Sequence, residues 1–122
     1  PGRLFSVQPW TVRTIPRLFA RNERLVCLFA SSCGPFAMVL VGAINVAAIE
    51  TAWSGLVTPP HGKKIAEFDY SHTQKDFRKG QEMGRFNMGS TVILLTTQKV
   101  QWAKQLNHGT RVKMGQAIGA FR

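Results

Sequence analysis

Acidic side chains are scarce in this chain: 6 Asp and Glu stand against 16 Lys and Arg over 122 residues, a formal net charge of +10. A balance this basic suits nucleic acid, an anionic membrane surface or an acidic protein, or simply a solvated basic face. Cysteine is scarce too. Cys27 and Cys33 are the only two, which excludes a disulfide scaffold and points to a reducing compartment. Their spacing of six, with no neighbouring His, is not that of a zinc site, and no metal is expected. There is no uninterrupted apolar run of about 20 residues. The most apolar stretch, Phe36 to Trp53, carries Gly42, Asn45 and Glu50 and is rich in Val and Ile, which favours two buried strands over a spanning helix. No basic segment leads into an apolar stretch and a small-residue cleavage site, so no signal peptide is read. The chain opens on Pro1-Gly2 without Met, as a fragment or a processed piece would.

What is present is 44% apolar, enough for one domain over 1–122 with a core, but not for two. The pattern places strands at Leu4–Val7, Arg24–Phe29, Phe36–Ile44, Val46–Trp53 and Thr91–Thr96, with a short helix or strand over Val100–Leu106 and a closing segment at Ile118–Phe121. Gln8–Arg17, broken by Pro9 and Pro16, reads as a loop, Arg21–Arg24 as a polar turn, and Ser31–Pro35 as another turn. Thr58-Pro59-Pro60-His61-Gly62 is a hard break. The polar stretch Lys63–Lys79 offers an edge strand or a hairpin built on Ile65, Phe68, Tyr70 and Phe77.

One segment occurs twice. Gly80-Gln-Glu-Met-Gly-Arg-Phe86 matches Gly115-Gln-Ala-Ile-Gly-Ala-Phe121 at four of seven positions. Each copy reads as a glycine turn, an apolar residue, a glycine suited to close approach, and a strand residue. Two related hairpin units predict a mainly β fold: a small flattened β-barrel or barrel-sandwich-like core with short helical segments. The pattern resembles lipoyl and biotinyl carrier domains, yet no Lys stands in the Asp-Lys or Met-Lys-Met setting a carrier needs. A basic β-barrel that binds nucleic acid would explain the charge. The aromatic residues, however, lie mostly in apolar runs rather than between Arg and Lys as stacking platforms.

The chemistry concentrates at Gly89-Ser90. A Ser hydroxyl needs a base, an oxyanion donor and a well-held carbonyl before it can attack a peptide. Gly89 leaves room for the tetrahedral intermediate. Attack of the Ser90 oxygen on the Gly89 carbonyl would turn the peptide into an ester. β-Elimination would then release the Gly89 carboxylate and leave dehydroalanine at position 90. Hydrolysis would give an N-terminal pyruvoyl group and ammonia. The longer run Gly80-Gln-Glu-Met-Gly-Arg-Phe-Asn-Met-Gly-Ser-Thr-Val-Ile-Leu-Leu95 resembles the self-cleavage motif of bacterial phosphatidylserine decarboxylases, with Met88 where Leu is usual. Pro1-Gly-Arg-Leu-Phe-Ser-Val7, Leu18-Phe-Ala-Arg-Asn-Glu-Arg24, Val41-Gly-Ala43 with Ile49-Glu-Thr-Ala-Trp-Ser-Gly55, and Thr58-Pro-Pro60 are similar to the same family, in the same order.

That resemblance implies a proenzyme that cleaves itself between Gly89 and Ser90. The products are a β-chain part, 1–89, and an α chain, 90–122. The pyruvoyl cofactor derived from Ser90 serves as electron sink when phosphatidylserine loses carbon dioxide to become phosphatidylethanolamine. It also implies a zymogen of phospholipid biosynthesis. The enzyme would be peripheral on the cytoplasmic side of a bacterial cell membrane, drawn to anionic lipid, compatible with a homodimer and without a nucleic-acid partner. Phe5 and Val7 share one strand face and are candidates to border the substrate pocket; ordinary core packing is the other reading. The family's cleavage base, a His supported by an Asp, lies upstream of the segment resembled by Pro1–Val7, and His61, His72 and His108 match no motif. The upstream part of the proenzyme is therefore an expected partner, and this chain alone is expected to remain uncut and inactive. Glu50, in an apolar run, needs a basic partner, a pocket or an exposed strand face.

Overall fold

A computed structural model of the chain describes residues 1–44, 48–88 and 91–121. Two short helices come first, α1 (Pro9–Thr14) and α2 (Leu18–Arg21). Eight strands follow among the described residues: β1 (Arg24–Phe29), β2 (Phe36–Val41), β3 (Ile49–Thr51), β4 (Gly55–Thr58), β5 (Gly84–Phe86), β6 (Thr91–Thr96), β7 (Val100–Trp102) and β8 (Gly119–Phe121). They make three antiparallel sheets in the orders β1-β2-β6, β4-β3-β5 and β7-β8.

The first sheet is built from runs of branched and aromatic side chains. β1 and β2 pair without slippage from Arg24↔Val41 to Phe29↔Phe36. The turn between them closes where Gly34 N–H donates to the Ser31 carbonyl at 3.0 Å, with Gly34 at φ 94°. β6 covers the other edge of β2, from Phe36↔Thr96 to Val41↔Thr91. Period-two alternation sends Leu25, Cys27, Phe29, Met38 and Leu40 to one side, where they meet Ile49 and Phe86 of the second sheet together with Trp53 and Met83. This is the core.

The expected flattened barrel is not formed. Among the described residues no ladder joins the first sheet to the second, and β7-β8 stands apart from both. Sheets of three, three and two strands are too small to curl shut; a closed barrel filled by side chains takes roughly eight strands in one sheet. The mainly β reading with short helices holds. The surface tells the same story of openness: the chain exposes 9839 Å², where a compact monomer of 13.6 kDa exposes about 6,600 Å².

Several local expectations also change. Gln8–Arg17 contains α1 rather than only loop. Pro9 sits at the start of the helix, where its missing N–H costs nothing and its fixed φ suits the helix, and Pro16 holds Ile15 extended, which ends it. Leu4–Val7 forms no strand; Arg3 makes a single parallel bridge to Asn22. The reason is a side chain. Asn22, fully buried, accepts from Phe5 N–H at 2.9 Å and donates to the Phe5 carbonyl at 2.8 Å and the Gly42 carbonyl at 2.9 Å, taking the backbone groups a strand neighbour would have taken. Arg21–Arg24 is accordingly no solvated turn, since Asn22 and Glu23 are both buried.

Lys63–Lys79 makes neither an edge strand nor a hairpin. Two of its aromatics pack on Trp53 instead, Phe77 at 5.5 Å and Tyr70 at 6.2 Å between ring centroids, with the Tyr70 hydroxyl 2.5 Å from Ser54 Oγ, while Phe68 is exposed. β4 is a strand the sequence reading lacks, tucked between a turn and the Pro-Pro break. Val46–Trp53 yields only the three residues of β3, and residues 45–47 lie outside the described ones.

The internal repeat is structural. Gly80 and Gly115 take φ of 81° and 79°. Gln81 N–H donates to the Arg78 carbonyl at 2.9 Å while its Oε1 accepts from Arg78 N–H at 3.0 Å; Gln116 does the same with Lys113 at 3.0 and 2.9 Å. β5 then pairs with β3, and β8 with β7, in one register: Ile49↔Phe86 and Thr51↔Gly84 in the first unit, Val100↔Phe121 and Trp102↔Gly119 in the second. Each ladder closes alike, Ala52 N–H on the Met83 carbonyl and Ala103 N–H on the Ile118 carbonyl, both at 2.9 Å.

Candidate active site

The segment that the sequence singles out connects two sheets. β5 ends at Phe86 in the second sheet and β6 begins at Thr91 in the first, so 87–90 is a four-residue crossover. Gly89 and Ser90 lie outside the described residues. Their flanks are well held. Asn87 N–H donates to the Ala48 carbonyl at 3.1 Å, and its side-chain amide donates to Glu50 Oε1 at 3.0 Å. On the far side, Thr91 pairs with Val41, one of the most deeply buried residues of the chain. The residues before and after Gly89-Ser90 are thus each tied to a different sheet.

Glu50 finds the basic partner its apolar setting demanded. Its second carboxylate oxygen lies 3.9 Å from Arg85 Nε, and Arg85 also reaches Glu82 Oε1 at 2.8 Å. With a third of its side chain exposed, the Glu50–Arg85 contact is a weak ion pair. Its larger effect is through Asn87, which ties the crossover to β3.

His61 is more than a surface residue. The Glu23 carboxylate, buried, gathers Thr58 Oγ1 at 2.5 Å and His61 Nδ1 at 2.8 Å on the same oxygen. The cluster fastens the Pro-Pro break to the turn after α2. The sequence reading missed Asn22 and Glu23; the signal available was two polar residues set between apolar runs, which also describes any exposed turn. His72 and His108 are exposed. Cys27 is no rival nucleophile, because burial pushes its thiol up to about 11 and keeps it protonated near neutral pH. Among the described residues no group of three or more His, Cys, Asp or Glu is placed to hold a metal, and no helix is long and apolar enough to cross a membrane.

Phe5 and Val7 are both half-buried. The Phe5 ring lies under the Arg21 guanidinium, 4.9 Å from its centroid, and its backbone is clamped by Asn22.

The family model described as phosphatidylserine decarboxylase matches residues 1–120, which includes the crossover and both of its flanks. The chain belongs to the phosphatidylserine decarboxylase family. Curated relatives agree. The phosphatidylserine decarboxylase proenzyme of Ectopseudomonas mendocina is 52% identical over 122 residues, covering 98% of this chain and 43% of the relative. That of Methylococcus capsulatus is 51% identical over 123 residues, 100% of this chain and 43% of the relative. That of Stutzerimonas stutzeri is 53% identical, 98% of this chain and 41% of the relative. The chain thus spans less than half the length of these relatives.

Proposed function

We propose that this chain is the part of a phosphatidylserine decarboxylase that carries the self-cleavage site, Gly89-Ser90, and that Ser90 becomes the pyruvoyl group. The observation that carries the reading is the family match running through a crossover whose two arms are pinned, by Asn87 to Ala48 and Glu50 and by Thr91 to Val41. The Ser90 hydroxyl attacks the Gly89 carbonyl carbon, the peptide C–N bond breaks, and the nitrogen takes the proton. Loss of the Cα proton of residue 90 expels the Gly89 carboxylate, and hydrolysis releases ammonia. The group so formed supplies an electron sink for loss of carbon dioxide from the headgroup of phosphatidylserine, giving phosphatidylethanolamine.

This chain's own residues hold the reacting segment. Asn87 and Glu50 restrain the Gly89 side, β6 restrains the Thr91 side, and Phe5 and Val7 are assigned to the border of the lipid pocket. His61 is already engaged by Glu23, and the base for cleavage is assigned to the part of the proenzyme that this chain does not span. The 122-residue chain by itself therefore stays in one piece and does not decarboxylate lipid. The net charge of +10 favours peripheral contact with anionic lipid on the cytoplasmic face of a bacterial membrane.

Intact mass of the full-length polypeptide, with and without Ser90→Ala, tests the reading. The unaltered protein is expected as two fragments separated between Gly89 and Ser90, with carbon dioxide released from phosphatidylserine. Ser90→Ala is expected as one chain without activity. An uncut protein that still decarboxylates, or a carbonyl group found at another position, overturns it.

A further inference from the structure

The two repeat units differ in one strand. In the first, β3 has β5 on one edge and β4 on the other. In the second, β7 has β8 on one edge, and no strand among the described residues on the other. The chain cannot fill that edge with the segment standing where β4 stands in the first unit. Residues 106–109 are folded into local turns instead, with Leu106 N–H on the Ala103 carbonyl at 2.8 Å and Thr110 N–H on the Asn107 carbonyl at 2.9 Å.

The open edge is defined by the ladder. In an antiparallel pair, residues alternate between bonding the partner strand and facing away from it. Ala103 bonds Ile118, so Gln101 faces β8, and the backbone groups of Val100 and Trp102 point to the open side. Beside that edge lies a shallow apolar groove lined by Leu94, Val100, Trp102, Ile118 and Phe121. Trp102 is 49% exposed and Phe121 40%, whereas Ile49, at the position of Val100 in the first unit, is 1% exposed. An edge strand with unpaired backbone groups next to apolar surface is a template for strand addition.

We propose that the open edge of β7 receives an antiparallel strand from the part of the longer polypeptide that the relatives possess and this chain does not span. Three observations select this occupant over a second copy or a lipid surface. The first unit shows the same register completed by a strand of the same chain. The relatives carry more than half of their length outside the match. The chain exposes about half again the surface of a compact monomer of its mass, an excess larger than one edge-to-edge contact between copies would cover. The added strand has apolar residues at alternate positions, to cover Val100 and Trp102 while its backbone bonds theirs. This inference does not depend on cleavage at Gly89-Ser90.

Amide hydrogen exchange on the full-length polypeptide tests it, with a photoreactive residue in place of Trp102 in a second sample. Val100 and Trp102 amides are expected to exchange about 100-fold more slowly in the full-length polypeptide than its unpaired, solvent-exposed amides do. The cross-link is expected on a segment of the same polypeptide outside the 122 residues. Val100→Pro, which removes an outward N–H and leaves the bonds to β8 in place, is expected to abolish Trp102 protection, whereas Val100→Ile keeps it. Exchange at Val100 and Trp102 as fast as at exposed amides, protection untouched by Val100→Pro, a cross-link between two copies, or protection that arises only with anionic vesicles would each overturn the proposal.

Discussion

Gly80–Phe86 and Gly115–Phe121 share a turn, a register and a closing hydrogen bond, yet one lies on the core and the other in solvent. The first unit sets Ile49 against Cys27 and Leu40, and its third strand, β4, completes the sheet. The second leaves Val100, Trp102 and Phe121 on an open groove. Local sequence therefore makes the glycine turn, while the strand that pairs with it and its burial are decided by distant parts of the chain. A two-stranded ladder is marginal in water by itself, so the second unit is the less stable of the two.

The largest separation between the units is expected at the matched positions Ile49 and Val100. Ile49→Ala removes a fully buried side chain and is expected to cost about 4 kcal/mol, with Val100→Ala below about 1 kcal/mol, by urea unfolding. The same pair has a chemical readout. Ile49→Ala is expected to open Cys27, its core neighbour, to alkylation by iodoacetamide, while Val100→Ala leaves only Cys33 reactive, as the exposed thiol already is. Equal costs at the two positions would show that the second unit is as buried as the first.

The next effect lies at the close-approach glycines. A Cβ on Gly84, on the edge strand β5, would collide with the Glu50 carbonyl oxygen of β3, which β4 holds in place from its other side. A Cβ on Gly119 would meet the Gln101 carbonyl oxygen and Val100 Cγ1 at 2.9 Å, in a two-stranded ribbon that can shift. Gly84→Ala is expected to cost about 3 kcal/mol and Gly119→Ala about 1 kcal/mol, read as the loss in unfolding midpoint. The smallest effect is the most informative about the turn. Gln81→Ala and Gln116→Ala each remove one exposed side-chain bond of the same geometry and are expected to cost the same, about 0.5 to 1 kcal/mol. A clear difference between them would mean that the turn itself feels the tertiary surroundings.

The regular elements were legible where propensity and packing agree. Arg24–Phe29 and Thr91–Thr96 are runs rich in branched residues and emerge as β1 and β6 with the expected bounds. The repeat was legible because its glycines do work only glycine does: φ near 80° at Gly80 and Gly115, and no side chain at Gly84 and Gly119. Pro9 misled, because a proline that breaks a helix interior also starts one. Asn22 and Glu23 misled more deeply. Their polarity marks a surface turn in any local reading, and only partners 17 to 38 residues away, Phe5, Gly42, Thr58 and His61, make them buried. At the candidate site, Gly89-Ser90 and its motif were readable from the chain. The hold of Asn87 on Ala48 and Glu50 was not, since it joins residues 39 and 37 positions apart in the chain.

The sequence by itself determined the glycine turns, the strand periods and the Gly-Ser bond that the family match runs through, because each depends on the conformational freedom and chemistry of a few adjacent residues. Which repeat became core, which sheet edge stayed open, and how the crossover before Thr91 is held were decided only in three dimensions. Burial and hydrogen-bond satisfaction are properties of the surroundings, and the surroundings of a residue come from distant parts of the chain.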